Sequence, residues 1–354
     1  MNVRDSSKQV DIRHESELIQ QFRLLIADEP DLSWQIPSDA SAHDRLPWAK
    51  LKVDDRSHRF KPVYCLRPSI PELESLVAGW KDPDPPLLVV PELSSRVLDF
   101  CRQKRLAAID LNGRAYVRAA GVLVDRRPLS GRDFRFELEP RNVFVGVSAR
   151  IIRSLLTDRD RVWTQKDLLV RSKASSGLMS RIVQHLIGQG FIEKKSPREF
   201  RLSDPLGLVD AWVKADDFNR RATTTRYTGF GGSSVEVARQ LQAWAGEQSV
   251  SLAFTQWIAG WLRHPYTEPV VTSAYVARLP EGATLERLGL RAVNDAGKVW
   301  LHVPDDEGVF LETQSVQDLA LASDAQIYID LQRTGLRGPE QAGALRNWEG
   351  FCRK

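Results

Sequence analysis

Cysteine and methionine are scarce in this chain of 354 residues, with three Cys and two Met. Cys65, Cys101 and Cys352 stand far apart, odd in number, with no CxxC pair and no His/Cys cluster beside them. That pattern argues against a disulfide framework and a structural zinc site, and no metal or other cofactor is expected. Long apolar runs are missing too. No stretch approaches the ~18 consecutive apolar residues that a membrane helix needs. The opening residues, MNVRDSSKQVDIRHESE, are polar and contain no apolar h-region. They predict no secretory signal, a cytoplasmic protein and no membrane partner. Internal repeats and low-complexity tracts are also lacking.

What is present is an ordinary globular composition, 42% hydrophobic and 8% aromatic, long enough for two or three domains. Charge is unevenly placed. Between Ser148 and Ser203 twelve Lys/Arg stand against five Asp/Glu, a surplus of seven. The whole chain carries only +4, so the remainder is −3. A basic module inside a slightly acidic chain is the electrostatic footprint of a nucleic-acid binder.

Patterning divides the chain into three. In residues 1–140, ESELIQQFRLLIADEP has helical spacing ending at Pro30, SWQIPSDASAHDRLP is loop-like, and a strand is expected from Phe60. Leu87–Val90 reads as a buried strand, Pro91–Lys104 as an amphipathic helix, and Asn112-Gly113 as the turn between two strands. Residues 141–217 are mostly helical. Ser148, Thr164 and Ser175 stand where N-caps are wanted, Gly190 closes the third helix, and FIEKKSPREFRL makes two short strands. In residues 218–354, FNRRATTTRYTGFGG reads as a basic linker or loop, and Ser234–Gly246 and Phe254–Leu262 as helices. Strands then alternate with turns before two closing helices.

The segment KASSGLMSRIVQHLIGQGFIEKK carries the functional reading. A two-turn helix from Thr164 and a three-residue turn at Ser172–Ala174 lead into a helix that must bury Met179, Ile182 and Leu186. Ser176, Gly177, Ser180, Arg181 and Gln184 then face outward at its N-terminal half. This is the order of a winged helix-turn-helix, in which that half enters the major groove of double-stranded DNA. Arg and Gln make bidentate contacts with guanine and adenine edges. Ser180 and the free N–H groups at the helix start suit phosphates, and Ser180 also joins Arg181 and Gln184 in reading base edges. Thr164 is expected to hold a phosphate, and Gln165, Lys173 and Ser175 complete the DNA-binding set, while Lys194, Lys195 and Arg198 lie where a wing would reach the backbone. An amphipathic core helix with solvated arginines is the competing reading. His185 is expected at a boundary, without a catalytic or metal role.

LLVVPELSSRVLDFCRQKRLAAIDLNGRAYVRAAGVLVD resembles the N-terminal part of the AbiEi-like antitoxins of type IV toxin–antitoxin systems, through Ile109, Asp110, Gly113, Ala115 and Tyr116, with Arg114 where Asn is commoner. The closing stretch is similar to the family's through Gln326, Tyr328, Asp330, Leu331 and Arg337. The resemblance implies a restriction-endonuclease-like first domain, a central winged helix and a C-terminal domain with an antitoxin or interaction role. The expected fold is thus α+β and multidomain: a degenerate endonuclease-like α/β domain, the winged helix, and a C-terminal α/β domain.

Enzyme chemistry finds little support. An endonuclease needs an acidic residue and a Lys one apart on a strand to hold Mg²⁺ beside a second Asp. The candidate strand offers Cys65-Leu66-Arg67, and Asp110 stands alone, so a non-catalytic scaffold is expected. Gly229-Phe230-Gly231-Gly232-Ser233 suggests a nucleotidyltransferase Gly-Ser, but no Asp-x-Asp or Asp-x-Glu follows, and no Gly-Lys-Ser/Thr makes it a P-loop. The expectation is a repressor that reads DNA as a dimer or as cooperative monomers and that, by resemblance, engages a cognate toxin. The alternatives are a replication or mobile-element control protein and a Mg²⁺-dependent nuclease.

Overall fold

A computed structural model describes residues 9–27, 33–39, 44–129, 131–137, 140, 142–229, 232–295, 297–335 and 337–353. It is an α+β chain in two compact units. The first comprises residues 1–140 with Gln184–Gly190, and the second residues 141–183 and 191–354.

The first unit is built on a seven-stranded sheet in the order Ser33–Gln35, Ala49–Val53, Arg56–Tyr64, Pro86–Val90, Ala107–Asp110, Ala115–Ala119, Val122–Arg126. The middle three strands are parallel and the flanking pairs antiparallel. A parallel centre needs both faces covered, and PLLVV supplies apolar side chains to each. Leu87 and Val89 pack with Leu18, Phe22 and Leu25 of the helix Glu15–Ala27. Leu88 and Val90 pack with Val97, Leu98 and Cys101 of the helix Ser95–Lys104 and with Leu73 of the helix Ile70–Gly79. The helix expected from Pro91 begins four residues later, because Ser94 is its cap and accepts from the Val97 N–H. Trp34, expected in a loop, lies on the edge strand that pairs with Ala49–Val53. Pro30 is outside the described residues.

The second unit opens with the helix Gly146–Thr157, the strand Val162–Thr164, and the helices Gln165–Ser172 and Ser176–Gly188. The last of these runs on into the residues grouped with the first unit. The strands Ile192–Lys194 and Glu199–Leu202 follow, then the helix Pro205–Ala215. Val162–Thr164 pairs with Glu199–Leu202, so the hairpin gains a third strand that the sequence reading lacked. Ser148 is not a cap. The helix begins at Gly146, whose φ of 52° turns the chain into it, and the Ala149 N–H bonds to Val145 O. Thr164 caps its helix through a reciprocal box with Asp167.

A second seven-stranded sheet has the order Leu290–Val293, Ala222–Gly229, Val299–Pro304, Thr272–Val276, Leu252–Thr255, Leu319–Leu321, Gln314–Val316. The stretch read as a linker, from Ala222, is therefore an interior strand paired on both sides. Its threonines are β-formers, and Ala222 and Tyr227 anchor it in the core. Phe230 and Gly231, at its glycine-rich end, are outside the described residues. The helix expected over Phe254–Leu262 is divided. Leu252–Thr255 is a strand, Gln256 takes φ 53°, and a helix runs Gln256–Arg263.

Candidate nucleic-acid interface

The helix Ser176–Gly188 separates its faces as its spacing predicts. Met179, Ile182 and Leu186 are fully buried, Ser176, Gly177, Arg181 and Gln184 are exposed, and Ser180 is half-buried. Ser175 starts it: its Oγ accepts the Leu178 N–H at 3.3 Å and its carbonyl the Met179 N–H at 2.9 Å. At the far end Gly190 adopts φ 70°, which lets the chain turn into the strand beginning at Ile192. His185 is half-buried.

Gly177 stands out within this helix. A Cβ placed on it would meet nothing within 4 Å. Glycine costs helix stability relative to alanine, and no packing in the molecule requires it there. Arg181 is exposed and has no ion pair among the described residues. Gln184 accepts a long hydrogen bond, 3.4 Å, from Arg67 Nη1 of the first unit's own residues. In the same unit Gln189 Oε1 accepts from Ser94 Oγ at 2.8 Å, and its carbonyl from Arg96. The C-terminal end of the helix is thus held, while its N-terminal turns stay open.

The hairpin supplies the second group of cations. Lys194 and Arg198 are exposed. Lys195 and Arg201 both reach Glu193, at 2.8 and 2.6 Å, and together hold its carboxyl below the usual range. Ser196 and Glu199 close the turn through paired backbone bonds. Lys173 ends the preceding helix with φ 54° and lies 3.8 Å from Glu307, both side chains well exposed. Gln165 is exposed. The Thr164 hydroxyl, by contrast, is occupied: it donates to Asp167 Oδ2 at 2.8 Å and accepts the Asp167 N–H at 3.2 Å. That bond lowers the Asp167 pKa and puts an anion where a phosphate contact was expected.

Not all of the module's positive charge faces outward. Arg150 forks onto Asp306, with contacts of 2.9 Å from Nε and Nη2. Arg171 pairs with Glu312 at 2.7 Å, and Ser154 donates to the same carboxylate at 3.0 Å. Arg153 is buried. Three of the twelve cations are therefore spent inside the second unit.

The sequence reading missed a buried polar network in the second sheet. Asp330, with no exposed surface, accepts from Arg221, from Thr255 Oγ1, from Tyr275 OH at 2.9 Å and from Gln326 Nε2 at 2.8 Å. Gln326 Oε1 in turn accepts from Arg153 at 2.8 Å. His302 is nearby, its ring 5.6 Å from that of Tyr275, and burial lowers its pKa to about 4. The signal available in the sequence was the closing stretch, since Gln326 and Asp330 both belong to it. Tyr328 lies off the network and packs on Phe351.

Asp110, the lone acidic candidate for nuclease chemistry, is also buried. Its oxygens accept the backbone N–H groups of Leu93 (2.9 Å) and Arg114 (2.8 Å). Asn112 bridges the same turn to the backbone of Phe134 at 2.9 and 2.7 Å. No helix among the described residues is long and apolar enough to cross a membrane, and none of them form a group of three or more His, Cys, Asp or Glu arranged to hold a metal ion. Compared with known proteins, the chain matches no family model, no curated protein and no solved structure.

Proposed function

We propose that this protein is a sequence-specific DNA-binding transcriptional regulator acting as a repressor through a winged helix over residues 141–217. The observation that carries the reading is the outward face of the helix Ser176–Gly188. It joins exposed Ser176, Gly177, Arg181 and Gln184 and half-buried Ser180, beside a hairpin bearing exposed Lys194, Lys195 and Arg198. Arg181 and Gln184 read base edges, and the hairpin lysines hold phosphates. Ser175 positions the helix start, and Gly177 lets the DNA backbone come close to it. Thr164 and Gln165 orient the preceding helix, where the capping box makes Thr164 a positioning residue and Lys173 a peripheral charge.

The resemblance to AbiEi-like antitoxins extends this reading. Residues 1–140 act as a non-catalytic, endonuclease-like scaffold, and residues 218–354 as the domain that meets a cognate toxin in the cytoplasm. Asp110 supports the scaffold reading over a nuclease: its carboxylate holds a turn through two backbone N–H groups and is not open to solvent.

The test is fluorescence anisotropy on DNA from upstream of the protein's own gene and on random DNA of equal length, across a salt series. Preference for the upstream DNA, lost in Arg181→Ala, is the expected result, with about 1–3 kcal/mol of discrimination removed. Equal binding of both DNAs by both proteins would overturn it. A fluorescent duplex left intact in Mg²⁺ is expected beside it; cleavage abolished by Asp110→Ala would establish the nuclease instead.

A further inference from the structure

Gln256 Oε1, His302 Nε2 and Arg226 Nε are buried, have no hydrogen-bond partner among the described residues, and belong to side chains that line one cavity of the second unit. Buried polar atoms without partners are few in native proteins, and three on one cavity wall form a set that a bound polar molecule would complete. Gln256 adds a second sign. It takes φ 53° at the start of the helix Gln256–Arg263, a conformation that residues other than glycine seldom adopt, and only 2% of it is exposed. Backbone strain of this kind gathers at ligand sites. The Gln256 oxygen has no bond to give up, so the soft terminal torsion of its side chain can turn the amide toward the cavity.

The cavity holds about 650 Å³, a size common among small-molecule sites. Its charges are not evenly matched. The two acids of the wall, Asp216 and Asp217, are each paired with an arginine outside the lining, Arg221 at 2.7 Å and Arg220 at 3.1 Å. The two arginines of the wall are not held in this way. Arg226 lies 3.5 Å from Asp295, whose side chain is 93% exposed, and Arg333 donates to the backbone carbonyls of Val213 and Asp216. His302 adds no charge, because burial lowers its pKa to about 4; its Nδ1 shares a 2.8 Å bond with Thr224 Oγ1. The wall therefore carries a positive surplus. Apart from Gly335, its remaining residues are aromatic (Phe218 and Trp300) or polar and uncharged (Asn219 and Thr334). The Arg226 guanidinium lies 5.0 Å from the centre of the Trp300 ring, so cation and aromatic surface adjoin.

We infer that this cavity binds a mononucleotide, its base laid against Phe218 and Trp300 with an edge on the Gln256 amide, and its phosphate held by Arg226. Each part of such a ligand answers a part of the wall. Bases stack on aromatic side chains, the amide of glutamine matches the donors and acceptors of a base edge, and arginine pairs with phosphate through two N–H groups. Other classes leave part of the wall unmet. A neutral sugar leaves the arginines without an anion, inorganic phosphate leaves the aromatic surface uncovered, and an apolar acid leaves the amide and hydroxyl groups without partners. The site is independent of the DNA-reading proposal, and it is tested without DNA.

The experiment is isothermal titration of the full chain with AMP, GMP, CMP and UMP, with the matching nucleosides, and with inorganic phosphate. Wild type is compared with Arg226→Met, which keeps the length of a half-buried side chain and removes its charge, and with Gln256→Gly, which suits φ 53° and removes the amide. Wild type is expected to bind at least one of the nucleotides with a Kd of about 100 µM or tighter, and its nucleoside and phosphate about tenfold more weakly. Arg226→Met is expected to lose about tenfold for that nucleotide and nothing for its nucleoside, while keeping the wild-type circular dichroism and melting temperature. Gln256→Gly is expected to weaken nucleotide and nucleoside alike, by about fivefold or more. No nucleotide bound by wild type, phosphate bound as tightly as the best nucleotide, or nucleotide binding untouched in Arg226→Met would each overturn the proposal.

Discussion

Two buried titratable side chains make opposite demands on the fold. Burial raises the Asp110 carboxyl to about 6 against bonds from Leu93 and Arg114 that pull it down. The folded state therefore takes up this proton more readily than the unfolded chain. Its contribution to stability is full below the unfolded value near 4, and is lost as pH rises through 6. His302 is displaced the other way, to about 4, because burial penalises the imidazolium. Its contribution is full above about 6.5 and is lost as pH falls from there through 4. Each displacement is worth on the order of 3 kcal/mol. Melting temperatures measured from pH 4 to 7 are expected to show this by difference. Wild type falls relative to Asp110→Asn as pH rises, and rises relative to His302→Gln over the same range. A parallel course for all three proteins would remove both assignments.

Single elements carry the next predictions, and the helix Ser176–Gly188 offers the sharpest one. Gly177 sits exposed in its first turn with open space around the missing side chain. Gly177→Ala is expected to stabilise the protein by roughly 0.5–1 kcal/mol and at the same time to weaken binding to specific DNA. In the proposed complex a methyl group there would meet the sugar–phosphate backbone. Stabilisation without any loss of affinity would show that the glycine has no part in recognition. In the preceding helix the capping box separates structure from contact. Thr164→Ala removes the half of the reciprocal pair that the threonine hydroxyl makes, leaves the bond from its backbone N–H to Asp167, and is expected to cost about 1 kcal/mol in chemical denaturation. The salt dependence of DNA binding is expected to stay unchanged, because Thr164 neutralises no phosphate.

At the scale of the second unit, inward-facing arginines decide how its segments are joined. Arg171 and Ser154 converge on Glu312, whose side chain is 5% exposed, and Arg150 grips Asp306. Both acids belong to the stretch around the turn Glu307–Phe310. Breaking the Arg171–Glu312 pair with Glu312→Ala is expected to cost more than the ~1 kcal/mol of an exposed pair and to approach the ~3 kcal/mol of a buried one. Arg171 would be left half-buried without its acid. A double-mutant cycle with Arg171→Met, read by urea denaturation, isolates the pair; a coupling near zero would make the contact incidental. The same geometry bears on DNA affinity. Arg150, Arg153 and Arg171 add to the charge counted along the chain but not to the outward field. The number of ions released on binding is therefore expected to follow the exposed Arg181, Lys194, Lys195 and Arg198, and to fall by about one for each of these replaced by alanine.

Local chemistry was legible along the chain because it depends on near neighbours. Apolar spacing at Met179, Ile182 and Leu186 foretold which face of a helix is buried, since a helix repeats every 3.6 residues whatever it packs against. Ser175, Thr164 and Gly190 marked ends through bonds and backbone angles set within four residues. PLLVV declared a strand covered on both faces. Long-range pairing was not legible. Nothing within the run from Ala222 to Gly229 says that Val299–Pro304 and Leu290–Val293 flank it, and without those partners its threonines and glycine resemble a linker. Ser148 looked like a cap, but a glycine two residues earlier had already turned the chain. The destination of each arginine was hidden for the same reason. Arg153 and Arg181 occur in similar helical contexts, and only the packing of distant residues, Trp212, Gly308 and Gln326, turns Arg153 into a buried cation at the wall of a cavity. Sequence order thus settled most helices and their apolar faces, and those caps whose bonds close within the same few residues. Tertiary contact settled which charges meet solvent, and so where this molecule can meet another.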